Sequence, residues 1–177
     1  DGIEDAILAD VDNDGDDDLI ISLTNTPGQF FTHVGYLENL GTTGGTWDGF
    51  APLVIGVNSV KIGGSANGLA VGDIDADGLI DAVVTNRALG TVHLLKNTSV
   101  GAGTIEFTDV LSASTSDVLP PGTAQPTDAW IGDIDLDGLV DVVVNNFTDG
   151  SVVSFKNTST FAVTLGSPIS SSPNKKI

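Results

Sequence analysis

The nine-residue acidic pattern D-x-D-x-D-G-x-x-D occurs three times, and it limits what this chain can fold into more than any other feature. The copies are Asp10-Val11-Asp12-Asn13-Asp14-Gly15-Asp16-Asp17-Asp18, Asp73-Ile74-Asp75-Ala76-Asp77-Gly78-Leu79-Ile80-Asp81 and Asp133-Ile134-Asp135-Leu136-Asp137-Gly138-Leu139-Val140-Asp141. Their first aspartates lie 63 and 60 residues apart, so the chain reads as a tandem array of similar units. Each loop follows a short apolar run, Ala6-Ile7-Leu8-Ala9, Leu69-Ala70-Val71-Gly72 or Ala129-Trp130-Ile131-Gly132. Each precedes another, Leu19-Ile20-Ile21-Ser22-Leu23, Ala82-Val83-Val84-Thr85 or Val142-Val143-Val144-Asn145. Such runs, rich in branched side chains and bounded by Gly, Asp and Asn, predict buried strands joined through the acidic loop as a hairpin.

A third element recurs as Tyr36-Leu37-Glu38-Asn39, Leu94-Leu95-Lys96-Asn97 and Ser154-Phe155-Lys156-Asn157. It ends 21 residues after the loop in the first copy and 16 after it in the others, which places a five-residue insertion around Pro27-Gly28-Gln29-Phe30-Phe31. A fourth, less regular strand is expected near Phe50 to Ile55, Ile105 to Leu111 and Phe161 to Ile169. Four antiparallel strands in about 60 residues is the size of a propeller blade. The expected fold is all-β: blade-like repeats at residues 1–60, 61–120 and 121–170, then a tail or linker at 171–177. Three blades do not close a ring with ordinary blade geometry. The array is therefore expected to be part of a longer propeller or to be completed by other chains. The chain has no methionine and opens on Asp1, which suggests a processed product or a piece of a longer polypeptide.

A net charge of −18, with only six Lys and Arg, disfavours nucleic acid and anionic membranes as partners. It also makes a compact fold self-repulsive unless cations neutralise part of it. Absence of cysteine excludes disulfides, thiolate catalysis and Cys-ligated metals. No run approaches the roughly 20 apolar residues of a membrane helix.

Within each loop, aspartates at positions 1, 3 and 5 can converge on one centre, while the glycine at position 6 permits the sharp bend this needs. Position 7 would offer a backbone carbonyl from Asp16, Leu79 or Leu139. Position 9, Asp18, Asp81 or Asp141, would add a fourth, bidentate carboxylate. An all-oxygen, flexible cage suits Ca²⁺ better than zinc, copper or Mg²⁺, so three calcium sites are expected. An EF-hand shares positions 1, 3, 5 and 6 but requires glutamate at position 12 and flanking helices. Ile21, Val84 and Val144 stand at that position, inside strand-like runs. A solvated Asp-Gly turn would explain one such loop, but not three in the same strand context.

With these loops in place, the units resemble FG-GAP/VCBS repeats, the blades of integrin-α-type β-propellers. The resemblance implies calcium held by Asp10, Asp12, Asp14 and Asp18, by Asp73, Asp75, Asp77 and Asp81, and by Asp133, Asp135, Asp137 and Asp141. It also implies a secreted or cell-surface, non-catalytic binding or adhesion module that engages protein or glycan ligands. Two alternatives stand beside it: a structural subunit of a surface filament or lattice, formed by self-assembly, and an accessory propeller of a secreted polysaccharide-active enzyme. The carboxylates are committed to the cages, and no G-x-S-x-G or H-E-x-x-H pattern occurs, so catalysis is not expected.

The remaining distinctive residues read more plainly. His33 and His93 are expected to be partly exposed strand residues without catalytic partners. Trp130, entering a metal loop, is expected in the core, and Trp47 on the surface. Asn97, Asn146 and Asn157 lie in N-x-S/T sequons, and the repeat equivalence of Asn97 and Asn157 favours a turn role over glycosylation. The Phe30-Phe31 pair would place one ring on each side of a strand; a longer hairpin with one ring packed inward is the favoured reading, and a contact surface for a subunit or ligand is the alternative.

Overall fold

The structure is a computed structural model that describes residues 2–24, 31–114, 124–158 and 169–171. The described residues contain strands, turns and loops and no helix. They build three antiparallel sheets of four strands, which are propeller-type blades and form no closed ring. The first blade orders β1 (Ile3–Ala9), β2 (Asp18–Leu23), β3 (Phe31–Leu37) and β6 (Ser59–Gly63), with a small hairpin of β4 (Thr42–Thr43) and β5 (Thr46–Trp47) between β3 and β6. The second orders β7 (Ala66–Gly72), β8 (Asp81–Asn86), β9 (Thr91–Asn97) and β10 (Phe107–Ser114). The third orders β11 (Pro126–Gly132), β12 (Asp141–Asn146), β13 (Val152–Phe155) and β14 (Ile169–Ser171). Each acidic loop joins the first two strands of its blade, as expected.

The fourth strand of the first blade is not where the sequence placed it. Phe50 makes an isolated bridge to Asn39, and residues 51–58 form a loop and turn. Pro52 has no amide proton to give a ladder, and Gly56 has φ +84°. The Asn58 side chain accepts the Val54 N–H at 2.6 Å, so the loop satisfies its own backbone. The ladder resumes only at β6, which crosses the expected boundary at residue 60. Most of the segment from Phe161 to Ile169, the tail from residue 172, and Phe30 of the insertion lie outside the described residues.

The apolar cores lie between blades rather than within them, because each strand alternates its side chains between two neighbours. Val11, Ile20, Val34, Tyr36 and Ile62 of the first blade pack against Leu69, Ala82, Val84, Leu95 and Phe107 of the second. The opposite face of the second blade, with Ala70, Ile74, Val83, Val92 and Leu94, meets Ala129, Val142, Val144, Val153 and Phe155 of the third. All six residues of β8 are buried, since this strand is covered on both faces.

Trp130 departs from expectation. It is 51% exposed, because it sits on the outward face of the third blade, where no further blade stands among the described residues. His93 departs as well. It is buried, with Nδ1 2.9 Å from Asp109 Oδ2 and Nε2 3.1 Å from Thr91 Oγ1, so it has two partners across β9 and β10. Its counterpart in the first blade is Gly35, whose missing side chain leaves room for Leu53. Trp47 is exposed and stacks edge-on against Phe50.

The innermost strands β7 and β11 approach so closely that a Cβ on Gly68 would lie 2.5 Å from Asp128 Cα and 2.6 Å from Thr127 O. Both atoms are backbone and cannot swing aside. Gly68→Ala is therefore expected to push the second and third blades apart and to cost about 1–3 kcal/mol in urea unfolding. Gly132→Ala, whose Cβ would meet nothing within 4 Å, should change stability by less than about 1 kcal/mol. Equal effects of the two substitutions would contradict this packing.

Candidate metal centres

The three loops fold alike because the same backbone amides meet the same carboxylates. The position 1 aspartate accepts two amide protons from the turn: Asp10 from Asp14 and Gly15 at 3.0 and 3.1 Å, Asp73 from Asp77 and Gly78 at 3.0 Å each, and Asp133 from Asp137 and Gly138 at 3.1 and 2.9 Å. The position 5 aspartates, Asp14, Asp77 and Asp137, accept the N–H of Asp16, Leu79 and Leu139 at 2.9–3.0 Å. Gly15, Gly78 and Gly138 have φ of +102°, +88° and +89°, the conformation for which glycine is suited.

Position 4 is left-handed too, at Asn13 (φ 59°), Ala76 (61°) and Leu136 (63°). Only asparagine among these carries a sequence signal for that conformation. Held in all three copies, the bend costs of order 1–2 kcal/mol per residue for Ala or Leu, so the loop is over-determined by the contacts around it.

The position 9 aspartates lie deepest. Asp18, Asp81 and Asp141 are buried, and in each one oxygen accepts the position 2 amide of its own loop at 3.0–3.2 Å. The other accepts the N–H of Asn39, Asn97 or Asn157, at the end of the blade's third strand, at 2.8–2.9 Å. The asparagine side chains extend the tie to the neighbouring blade. Asn97 Nδ2 donates to Val11 O at 2.6 Å and Asn157 Nδ2 donates to Ile74 O at 2.8 Å. These two sequon asparagines are fully buried and Asn146 is buried as well, so in the folded chain they serve the structure.

Carboxylate oxygens of Asp10, Asp12 and Asp18 lie within 4.8 Å of one another, as do those of Asp73, Asp75 and Asp81 and those of Asp133, Asp135 and Asp141. Calcium–oxygen distances of about 2.3–2.6 Å allow two ligand oxygens to stand up to about 5 Å apart, so each triad can share one ion. Asp75 Oδ1 and Asp16 Oδ1 are buried without a hydrogen-bond partner, a state that an unmet cation explains. The position 5 carboxylates stand outside these triads. Asp77 meets Lys96 at 2.9 Å and Asp137 meets Lys156 at 2.8 Å, and the same ammonium groups contact Asp75 and Asp135. Sequence reasoning passed over these lysines, although their shared place before the repeat-equivalent asparagines Asn97 and Asn157 is visible in the sequence.

Ionisation follows the geometry. Burial raises Asp18 and Asp81 to about 6 in spite of the two backbone hydrogen bonds each accepts. Burial also raises Asp16, assisted by the charges of Asp14, Asp12 and Asp10. Against burial, the Lys96 ammonium and the Leu79 N–H hold Asp77 below the usual range, and Lys156 holds Asp137 low.

At the other end of the inner strands, roughly 20 Å from the loops by strand rise, lies a cavity of about 440 Å³ lined by Glu4, Asp5, Asn67, Arg87, Thr127 and Asp128. It draws on all three blades, at the register shifts where β1, β7 and β11 begin. Arg87 also stacks over exposed Phe147 at 4.5 Å.

Fold and loops together define a β-blade repeat protein with aspartate cages at its hairpin tips. Residues 73–144 match the FG-GAP-like repeat family. The match runs from the first aspartate of the second loop into β12, so it includes the second and third loops entire. No curated protein matches the chain.

The pH response of the metal-free fold follows from the raised carboxyls of Asp18 and Asp81, with Asp16 acting in the same direction. Asp18 and Asp81 bind protons more tightly folded (about 6) than at the ordinary 3.8, so stability falls as pH rises from about 4 to 6. Asp77, Asp137 and Asp149, held low, contribute stability that is already present above 3.8 and is lost only at lower pH, so they do not oppose this fall. Melting of metal-free protein is expected at a lower temperature at pH 6.5 than at pH 4.5. A rise across that interval would overturn the assignment.

Proposed function

We propose that this chain is a calcium-stabilised, extracellular binding module without catalytic activity, in which metal locks the blade hairpins and a surface formed by several blades engages a protein or glycan. The observation that carries the reading is the threefold cage of carboxylate oxygens within 4.8 Å, with buried Asp75 Oδ1 left without a partner. Millimolar calcium outside cells suffices for weak sites of this kind. The net charge of −18 gives the folded chain reason to take up divalent cations. For the ligand, the 440 Å³ cavity supports the reading, with carboxylates, amides and a hydroxyl beside an Arg87–Phe147 stack. These are groups that hydrogen-bond hydroxyl-rich or amide-rich partners and offer an apolar platform.

The test is a melting series with calcium, magnesium and EGTA. Ions that bind only the folded state raise stability by about 2.7 kcal/mol per site at a hundredfold excess over Kd. The melting temperature should climb with the logarithm of calcium, climb less with magnesium, and lose part of its gain in Asp75→Asn. Identical melting in calcium and EGTA would sink the reading.

A second reading, a subunit of a surface filament or lattice, is favoured by one observation. The face that buries Ala70, Ile74 and Val92 in the second blade is open in the third, where the equivalent Trp130, Ile134 and Val152 are 51%, 54% and 40% exposed. Sedimentation of the full chain in calcium distinguishes the readings. Assembly that Trp130→Glu abolishes would favour the filament, and a monomer at every concentration would remove it.

A further inference from the structure

We infer that the three cages are unequal by construction: the first takes calcium most tightly, whereas Lys96 and Lys156 are tethered cations that compete with metal in the second and third. This rests on the reading that the loops take calcium and adds to it an order of filling.

The inequality comes from one repeat position. Lys96 and Lys156 directly precede the asparagine that closes the third strand, and the first unit carries Glu38 there. The Lys96 ammonium bridges Asp75 and Asp77, and Lys156 bridges Asp135 and Asp137, in each case joining positions 3 and 5 of the loop. In the first loop the equivalent oxygen, Asp12 Oδ2, instead accepts the Gly103 N–H from the second blade. An amide donor orders the carboxylate without neutralising it.

Position 7 widens the difference. It is Asp16 in the first loop and Leu79 or Leu139 in the others. The buried Asp16 Oδ1 has no hydrogen-bond partner. The first loop thus sets Asp14 and Asp16 beside its triad of Asp10, Asp12 and Asp18, a formal −5 for these five. The second and third gather four aspartates and one lysine each, a formal −3. Carboxylate count is a main determinant of calcium affinity. An ion entering the second or third cage must also displace an ammonium from two carboxylates, whereas one entering the first displaces no cation.

The consequence is a graded response. At low calcium the first loop fills and orders the junction with the second blade, through Asn97 on Val11 O and Asn13 Nδ2 on Gly78 O at 3.2 Å. The other two loops hold their shape on lysine until calcium is higher.

Amide NMR of the full chain during a calcium titration separates the sites, with the Gly15, Gly78 and Gly138 N–H groups as one reporter per loop. Gly15 is expected to titrate at a calcium concentration roughly tenfold or more below the other two. Lys96→Gln should move the Gly78 midpoint toward that of Gly15 and leave Gly138 in place, with Lys156→Gln doing the converse. Glu38→Lys provides an independent arm, since it should weaken the Gly15 site without touching either lysine. Equal midpoints in the wild-type chain, or midpoints unmoved by these substitutions, would overturn the inference while leaving calcium binding intact. No response of any loop to calcium would overturn the calcium reading and this inference together.

Discussion

In each blade a buried carboxylate at the ninth loop position is held by two backbone amides, one from its own loop and one from the end of the third strand. Through Asp81 this single group fixes the hairpin of β7 and β8, the register of β9, and the place of Asn97, whose amide then reaches Val11 of the neighbouring blade. The next step repeats it, from Asp141 to Asn157 to Ile74. Loop, sheet and blade stacking are therefore one hydrogen-bonded chain, and a disturbance at a loop tip is felt at the interface between blades.

Holding a carboxylate out of water is unfavourable, and the raised Asp18 and Asp81 register it. Two backbone hydrogen bonds offset part of that cost, and the neighbouring aspartates add to it. Lysine neutralises positions 3 and 5 at two loops but does not reach position 9, so the proposed calcium is the charge that would meet the buried carboxylate at all three. The same anionic oxygens that would destabilise an isolated acidic domain thus become the means of tying its hairpins.

Much of this was legible in the sequence because repetition multiplies weak signals. One D-x-D-x-D-G-x-x-D is an ordinary turn, but three copies set in equivalent apolar runs located the first three strands of every blade and the centres between them. The failures have local causes. Residues 50–55 read as a strand by composition, yet Pro52 and the Asn58 side chain divert the backbone into a loop. Trp130 was assigned to the core because its neighbours are apolar, although strand alternation turns it to the uncovered face. His93 lacked a partner in the linear sequence because Asp109 reaches it only across the β9–β10 ladder. The lysines at the loops escaped notice for a similar reason: their distance from the aspartates is 19–21 residues along the chain and a hydrogen bond in space.

Repeat symmetry is most informative where it breaks. Substitutions that keep the hairpin geometry but change its charge, Glu38 for lysine and Asp16 for leucine, fall in the same loop and push in the same direction. An exposed acidic residue at one repeat position could be neutral drift across a solvated surface. Two at the same cage, one of them bearing a buried oxygen without a partner, concentrate negative charge where the backbone already gathers four carboxylates. Such a loop keeps the hydrogen bonds of its two sisters but carries more negative charge that no lysine offsets. It is accordingly the place in the array where an added divalent ion changes the balance of forces most.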